Sequence, residues 1–163
     1  DTLSMTQVDN RETARLWMMN QLPKGSKIAF EAYAPYDNIS ELTARVNDEG
    51  WEVSILNWLK VSRLDSKDCI LVFSVGGGNY ENNISMNIVR AIQYLKEIGG
   101  KVVGLVGKDG GYTKKIGDAV LLIPIVNSNH ITPLTEGFQA LIWHLLVSHP
   151  KLQINPTKWE STE

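Results

Sequence analysis

At 163 residues the chain fits a single domain with room for a hydrophobic core. Hydrophobic residues make up 43% and charged residues 21%, the balance of an ordinary globular domain, and no apolar stretch is long enough to cross a bilayer. A formal net charge of −2 and a pI near 5.9 argue against a basic phosphate-binding face, so neither a nucleic-acid nor a membrane partner is expected.

Residues 1–22 form the expected N-terminal helical segment, with the pattern clearest over 5–21, where Val8, Leu16 and Trp17 share a face and Asp9 or Asn10 caps. Pro23-Lys24-Gly25 ends it. Lys27–Ala34 predicts a strand, closed by Pro35-Tyr36-Asp37-Asn38. Ser40–Val46 predicts a short helix, Asn47-Asp48-Glu49-Gly50 a break, and Trp51–Ser62 a second helix with Val53, Trp58, Leu59 and Ile55 or Leu56 at helical spacing.

Cys69–Val75 is a continuous β-rich run, the mark of a strand buried on both faces. Cys69, the single cysteine, therefore reads as a packed core thiol, and its solitude excludes an internal disulfide or a multi-thiolate metal site. Gly76-Gly77-Gly78-Asn79 follows. A helix is expected from near Asn82 or Asn83, because Ile84, Ile88, Ile92, Leu95 and Ile98 repeat at +4, +4, +3 and +3 before Gly99-Gly100. Lys101–Val106 predicts a strand, Gly107-Lys108-Asp109-Gly110-Gly111 a loop, Thr113–Ile116 a short helix, and Ala119–Ile125 a further strand. Leu134–Ser148 predicts an apolar helix ended by His149-Pro150, and residues 150–163 a polar tail.

Strands alternating with helices imply one α/β domain over 1–163, its core over 27–149: a three-layer α/β/α arrangement on a central parallel sheet. Ligands of such sheets bind beyond the carboxyl ends of the strands, where both glycine clusters fall. Glycines admit positive φ and bring bare N–H groups close to a ligand, and a helix start adds unpaired donors, so Gly76–Asn79 is a candidate phosphate cradle. A ligand-free tight turn is the competing reading. A dinucleotide fits poorly, because Gly76-x-Gly78-x-x-Glu81 lacks the third glycine, and no Walker-type phosphate loop occurs.

Three segments carry a family resemblance. Val72-Phe73-Ser74-Val75-Gly76-Gly77-Gly78-Asn79 sits where phosphoheptose isomerases, of the sugar isomerase (SIS) family, carry a Ser-Thr-Ser-Gly-Asn-Ser loop. Val106-Gly107-Lys108-Asp109-Gly110-Gly111 resembles their Thr-Gly-Lys-Asp-Gly-Gly, and Asn47-Asp48-Glu49-Gly50-Trp51 their Asn-Asp-Phe-Gly-Phe. The resemblance implies a flavodoxin-like SIS domain that assembles as a homodimer or homotetramer and isomerises sedoheptulose 7-phosphate; with no secretory signal in the sequence, a cytoplasmic location is the default expectation. The resemblance also implies roles. Ser74 and the Gly76, Gly77, Gly78 and Asn79 backbone would hold the phosphate, with Asp37, Lys108 and Asp109 at the substrate. His144 and Glu136 would be catalytic and, in an enzyme of this family that binds zinc, metal ligands.

The residues themselves leave alternatives open. His144 lies among Leu141, Ile142, Trp143, Leu145 and Leu146 and also reads as a hydrogen-bonded core histidine, while Glu136 also reads as a first-turn acid. Arg45, Asn47 and Asp48 read as substrate contacts or as a capped helix end. Trp143 and Trp159 read as packing or subunit-contact residues rather than ligand-stacking ones. Val75 and Gly76 stand where family members have hydroxyl donors, and Pro133 near a family acid. A family strand, loop and base-bearing helix are expected between residues 25 and 28, where Leu22-Pro23-Lys24-Gly25-Ser26 leads straight into Lys27-Ile28. Either the protein lacks that element or the sequence omits it. The alternative function is therefore non-catalytic binding of a phosphosugar.

Overall fold

The computed structural model describes residues 33–149; the expected N-terminal helix, the Lys27–Ala34 strand up to residue 32, the 25–28 junction, Trp159 and the polar tail lie outside them. In chain order the elements are α1 (Ile39–Glu49), α2 (Trp51–Val61), β1 (Cys69–Ser74), α3 (Met86–Glu97), β2 (Lys101–Val106), α4 (Gly111–Ile116), β3 (Ala119–Leu122), a 3-10 turn (Ser128–His130) and α5 (Ile131–Ser148).

The three strands form one parallel sheet in the order β1-β2-β3. Side chains alternate across a strand, so the register divides the sheet into two faces. Ile70, Val72, Val102 and Gly104 face α2, α3 and α4: Val72 and Val102 pack with Ile55, Leu59, Ala91, Ile92 and Leu95, and Gly104 meets Thr113. Cys69, Leu71, Phe73 and Leu105 take the other face, where Trp143 of α5 meets Phe73 edge-on at 6.0 Å and Gln139 Nε2 donates to the Leu105 carbonyl at 2.7 Å. Helices on both faces make the predicted three layers. Val89, Ile92 and Leu95 are fully buried along α3, each contributing about 1.5–3 kcal/mol of apolar transfer.

Several boundaries differ from expectation, each for a local reason. Asn47-Asp48-Glu49 continues α1 rather than breaking it, since Arg45 pairs with both Glu41 (2.8 Å) and Glu49 (3.6 Å), one turn on either side. Only Gly50, at φ 89°, interrupts the chain. α5 begins at Ile131, before Pro133, because a first-turn proline lacks only an N–H that has no helical partner there. Glu136 consequently lies beyond the first turn. β3 ends at Leu122, and Ile125 stands exposed past it.

α3 starts at Met86, not near Asn82 or Asn83. The intervening residues close a small hairpin, Asn79 and Ile84 exchanging backbone hydrogen bonds of 2.8 and 2.9 Å. Beside β1, on the side away from β2, lies an apolar cavity of about 380 Å³ lined by Tyr33, Trp58, Ile70, Leu71, Val72 and Ile88. Both parities of β1 touch it, so it runs along the strand's edge, the place where a parallel sheet would take a further strand.

Candidate functional site

The carboxyl ends of β1 and β2 carry two glycine loops that lock into each other. Gly77 and Gly78 hold φ of 69° and 78°, which L side chains rarely adopt. A Cβ on Gly77 would collide with the Gly110 carbonyl, and one on Gly111 with the carbonyls of Gly76 and Gly78. The first turn of α4 reads the first loop by hydrogen bonds. Tyr112 N donates to the Gly78 carbonyl (2.7 Å), and Thr113 N and Oγ1 both donate to the Gly77 carbonyl (2.9 and 2.8 Å). The Gly107 amide closes the assembly against the Ser74 and Val75 carbonyls.

This interlocking settles which donors remain. The Gly77 N–H is taken by Ser74 Oγ at 3.0 Å, and that of Asn79 by the Ile84 carbonyl. The N–H groups of Gly76 and Gly78 find no partner among the described residues. Gly78 packs against the Ser85 carbonyl, so the hairpin returns the chain to where it left and sets the loop beside the N-terminus of α3. There Ser85, at φ 51°, caps without a side-chain bond. The first intrahelical bonds reach Ile88 and Val89, leaving the Met86 and Asn87 amides as the orphan donors of the first turn. Four N–H groups, one hydroxyl and the positive end of a helix dipole thus border the loop, a combination suited to a phosphate or carboxylate.

The other candidates distribute unevenly. Lys108 holds φ 50° at the tip of the second loop, exposed, its Cδ 4.0 Å from where a Gly76 Cβ would stand, so its stem overlies the first loop. Asp109 Oδ1 accepts from Gly111 N (3.2 Å) and Asn79 Oδ1 from Asn82 N (2.9 Å), each shaping its own turn. Asp37 Oδ2 accepts from Ala34 N at 3.0 Å. Its neighbour Tyr36 stacks on Trp51 and accepts from Asn87 Nδ2 (3.1 Å), which ties this segment to the first turn of α3. Burial raises the Tyr36 hydroxyl's pKa, with the Asn87 bond opposing, so it stays protonated. Arg45 is held by its two glutamates, and Asn47 Nδ2 by Asp48 Oδ1 (2.8 Å).

His144 is exposed, not a core histidine. α5 meets the sheet's carboxyl edge at buried Thr135, whose side chain a Cβ on Gly107 would strike, and descends past Gln139 to Trp143. Glu136 therefore stands near the loops. His144 lies eight residues further, about 12 Å along the axis and 80° around it. Two side chains so placed do not share an ion, and no group of three or more His, Cys, Asp or Glu among the described residues could hold one. These residues do not fit zinc by themselves. Cys69 is no nucleophile: burial first, and then the Asp118 charge, push its thiol up to about 12.

Sequence reading missed Ser85, although a serine just ahead of an apolar helical repeat is the usual cap signal. It also missed Thr113, Thr135 and Gln139, whose partners are remote in sequence.

No family model matches the chain. It is 33% identical to the lincomycin biosynthesis protein LmbN of Streptomyces lincolnensis over 114 residues, 69% of this chain and 41% of that one. It is 32% identical to a phosphoheptose isomerase of Nitratiruptor sp. over 125 residues, 77% of this chain and 61% of the relative. A phosphoheptose isomerase of Helicobacter pylori is 32% identical over 107 residues, 66% of this chain and 50% of that protein. The chain thus spans between 41% and 61% of the length of these relatives. Among solved structures, the phosphoheptose isomerase GmhA of Neisseria gonorrhoeae superposes with a TM-score of 0.58 at 24% identity, over 72% of this chain and 61% of that one. That of Francisella tularensis superposes with a TM-score of 0.58 at 22% identity, over 83% and 64%. The chain is homologous to phosphoheptose isomerases and shares their α/β fold.

Proposed function

We propose that the protein is an aldose–ketose isomerase of the phosphoheptose type, an SIS domain taking sedoheptulose 7-phosphate. The observation that carries this reading is the interlocked pair of glycine loops, with the unpartnered N–H groups of Gly76 and Gly78 beside the open N-terminus of α3. The phosphate sits in that cradle beneath Lys108, and its binding energy orients the reacting carbons elsewhere in the site. Isomerisation then moves a proton from carbon 1 of the ketose to carbon 2, while an acid protonates the carbonyl oxygen and a base takes the hydroxyl proton of the neighbouring carbon. Glu136, near the loops, and His144 are the groups proposed for this work, with Asp37 at the sugar hydroxyls.

His144 is remote from the loops of its own chain, so the working site draws on a homodimer or homotetramer in the cytoplasm. No segment of the described residues supplies the base-bearing helix of the relatives. The cavity beside β1 supports a further strand there. A second reading, phosphosugar binding without turnover, is favoured by Val75 and Gly76, which bring no hydroxyl to the cradle. Conversion of sedoheptulose 7-phosphate to an aldose heptose 7-phosphate, with unphosphorylated sedoheptulose left untouched, is expected of the isomerase. Tight binding without conversion selects the second reading.

A further inference from the structure

Thr113 is completely buried in α4 and spends both of its donors on one atom, the Gly77 carbonyl oxygen. That carbonyl belongs to the same peptide unit as the Gly78 N–H. No cis peptide occurs among the described residues, and in a trans unit the C=O and N–H point in opposite directions. Holding the carbonyl toward α4 therefore turns the Gly78 N–H away from it. Gly78 is buried, and its N–H has no acceptor among the described residues. A buried N–H left unpaired is unfavourable until an acceptor meets it.

The flanking groups are held as well, Gly77 N by Ser74 Oγ and Gly78 O by Tyr112 N, but among the described residues the carbonyl of the Gly77–Gly78 unit itself is met only by Thr113. Glycine backbones turn freely, and both Gly77 and Gly78 sit at positive φ. The Thr113 methyl packs where Gly104 leaves room, fixing the side chain on the sheet, and Thr113 O accepts from Gly117 N at 2.9 Å. The residue is thus anchored at three points besides its hydroxyl.

We propose that Thr113 is a positioning residue for the anion cradle, its hydroxyl and amide gripping the Gly77 carbonyl so that the Gly78 N–H is aimed at the phosphate of the ligand. This rests on the phosphosugar reading above. It acts through the peptide and does not touch substrate.

The test compares Thr113→Ser, which keeps the hydroxyl, with Thr113→Ala, which loses it; both lose the methyl. Inorganic phosphate is titrated into the full-length protein, with affinity read by calorimetry and the Gly78 amide followed by NMR. The serine variant is expected to bind within about twofold of wild type. The alanine variant is expected to bind about tenfold more weakly, the loss of one hydrogen bond to a charged acceptor, and its Gly78 amide shift on titration should shrink. Equal binding by the two variants overturns this inference and leaves the phosphosugar reading standing. A wild-type protein that binds no phosphate and whose Gly78 amide does not move overturns both. Should the alanine variant fail to fold, Thr113→Val, which keeps the methyl and the shape but loses the hydroxyl, replaces it: phosphate binding weaker than that of the serine variant supports the assignment, and equal binding overturns it.

Discussion

Gly77 is the residue at which sequence, backbone and site meet most tightly. Its φ of 69° excludes most side chains, and a Cβ would strike the Gly110 carbonyl, which cannot retreat without breaking the contact between the two loops. Gly77→Ala is expected to destabilise the fold by roughly 3 kcal/mol, read in a denaturant titration, and to abolish phosphate binding. At His144 the expectation runs the other way. The side chain is exposed, so His144→Ala should leave unfolding and phosphosugar affinity nearly unchanged while turnover falls by about a hundredfold or more, the scale of a lost general acid or base. Unchanged turnover removes His144 from the mechanism. Its place in an apolar run marked Cys69 as a packed core thiol, and the structure buries it, so that desolvation holds back the thiolate that any nucleophile needs.

Among the elements, β2, β3 and α3 converge on Asp118. Its carboxylate accepts from Lys96 at the end of α3 (2.9 Å), from Lys101 at the start of β2 (3.2 Å) and from the Val102 amide (2.8 Å). Partial burial pushes its pKa up, but the Val102 amide and the two ammonium groups outweigh that and hold it below the usual carboxylate value. A folded pKa below the unfolded one adds stability that is complete above the ordinary aspartate value of about 4, and is lost as pH falls through the folded pKa. Asp118→Asn should therefore cost about 1 kcal/mol at neutral pH. Its loss of stability below about pH 4 should be shallower than that of wild type in parallel thermal melts.

The elements also show what the sequence could and could not convey. β1 and β2 were readable as continuous runs of strand-forming residues because both faces of the sheet are covered, and the body of α3 because burial of one face imposes a helical period. The start of α3 was not, because the Asn79–Ile84 hairpin is closed by backbone atoms that leave no mark in residue type. The short β3 has the same cause, its end being set by where Val106 stops offering a partner. At the site, glycine spacing marked the two loops. How the Gly77 carbonyl is held depends on Thr113, 36 residues from Gly77, and a contact at that separation has no local signature.

Over the whole molecule, two glycine loops sit on one edge of a parallel sheet, an apolar slot lies along β1, and α5 carries an exposed histidine away from the loops. Phe138, Leu141 and Leu145 are also exposed on α5, in keeping with the proposed assembly. The described residues contain no helix long and apolar enough to cross a membrane. The isomerase proposed above moves a proton between adjacent carbons of a phosphosugar. That claim is tested most directly by incubating the full-length protein with sedoheptulose 7-phosphate in heavy water and recording NMR spectra. Isomerisation predicts aldose signals growing to an equilibrium mixture, with deuterium entering at carbon 1 of the ketose. Recovery of unlabelled ketose from a sample that demonstrably binds it would contradict the claim and leave a phosphosugar-binding protein.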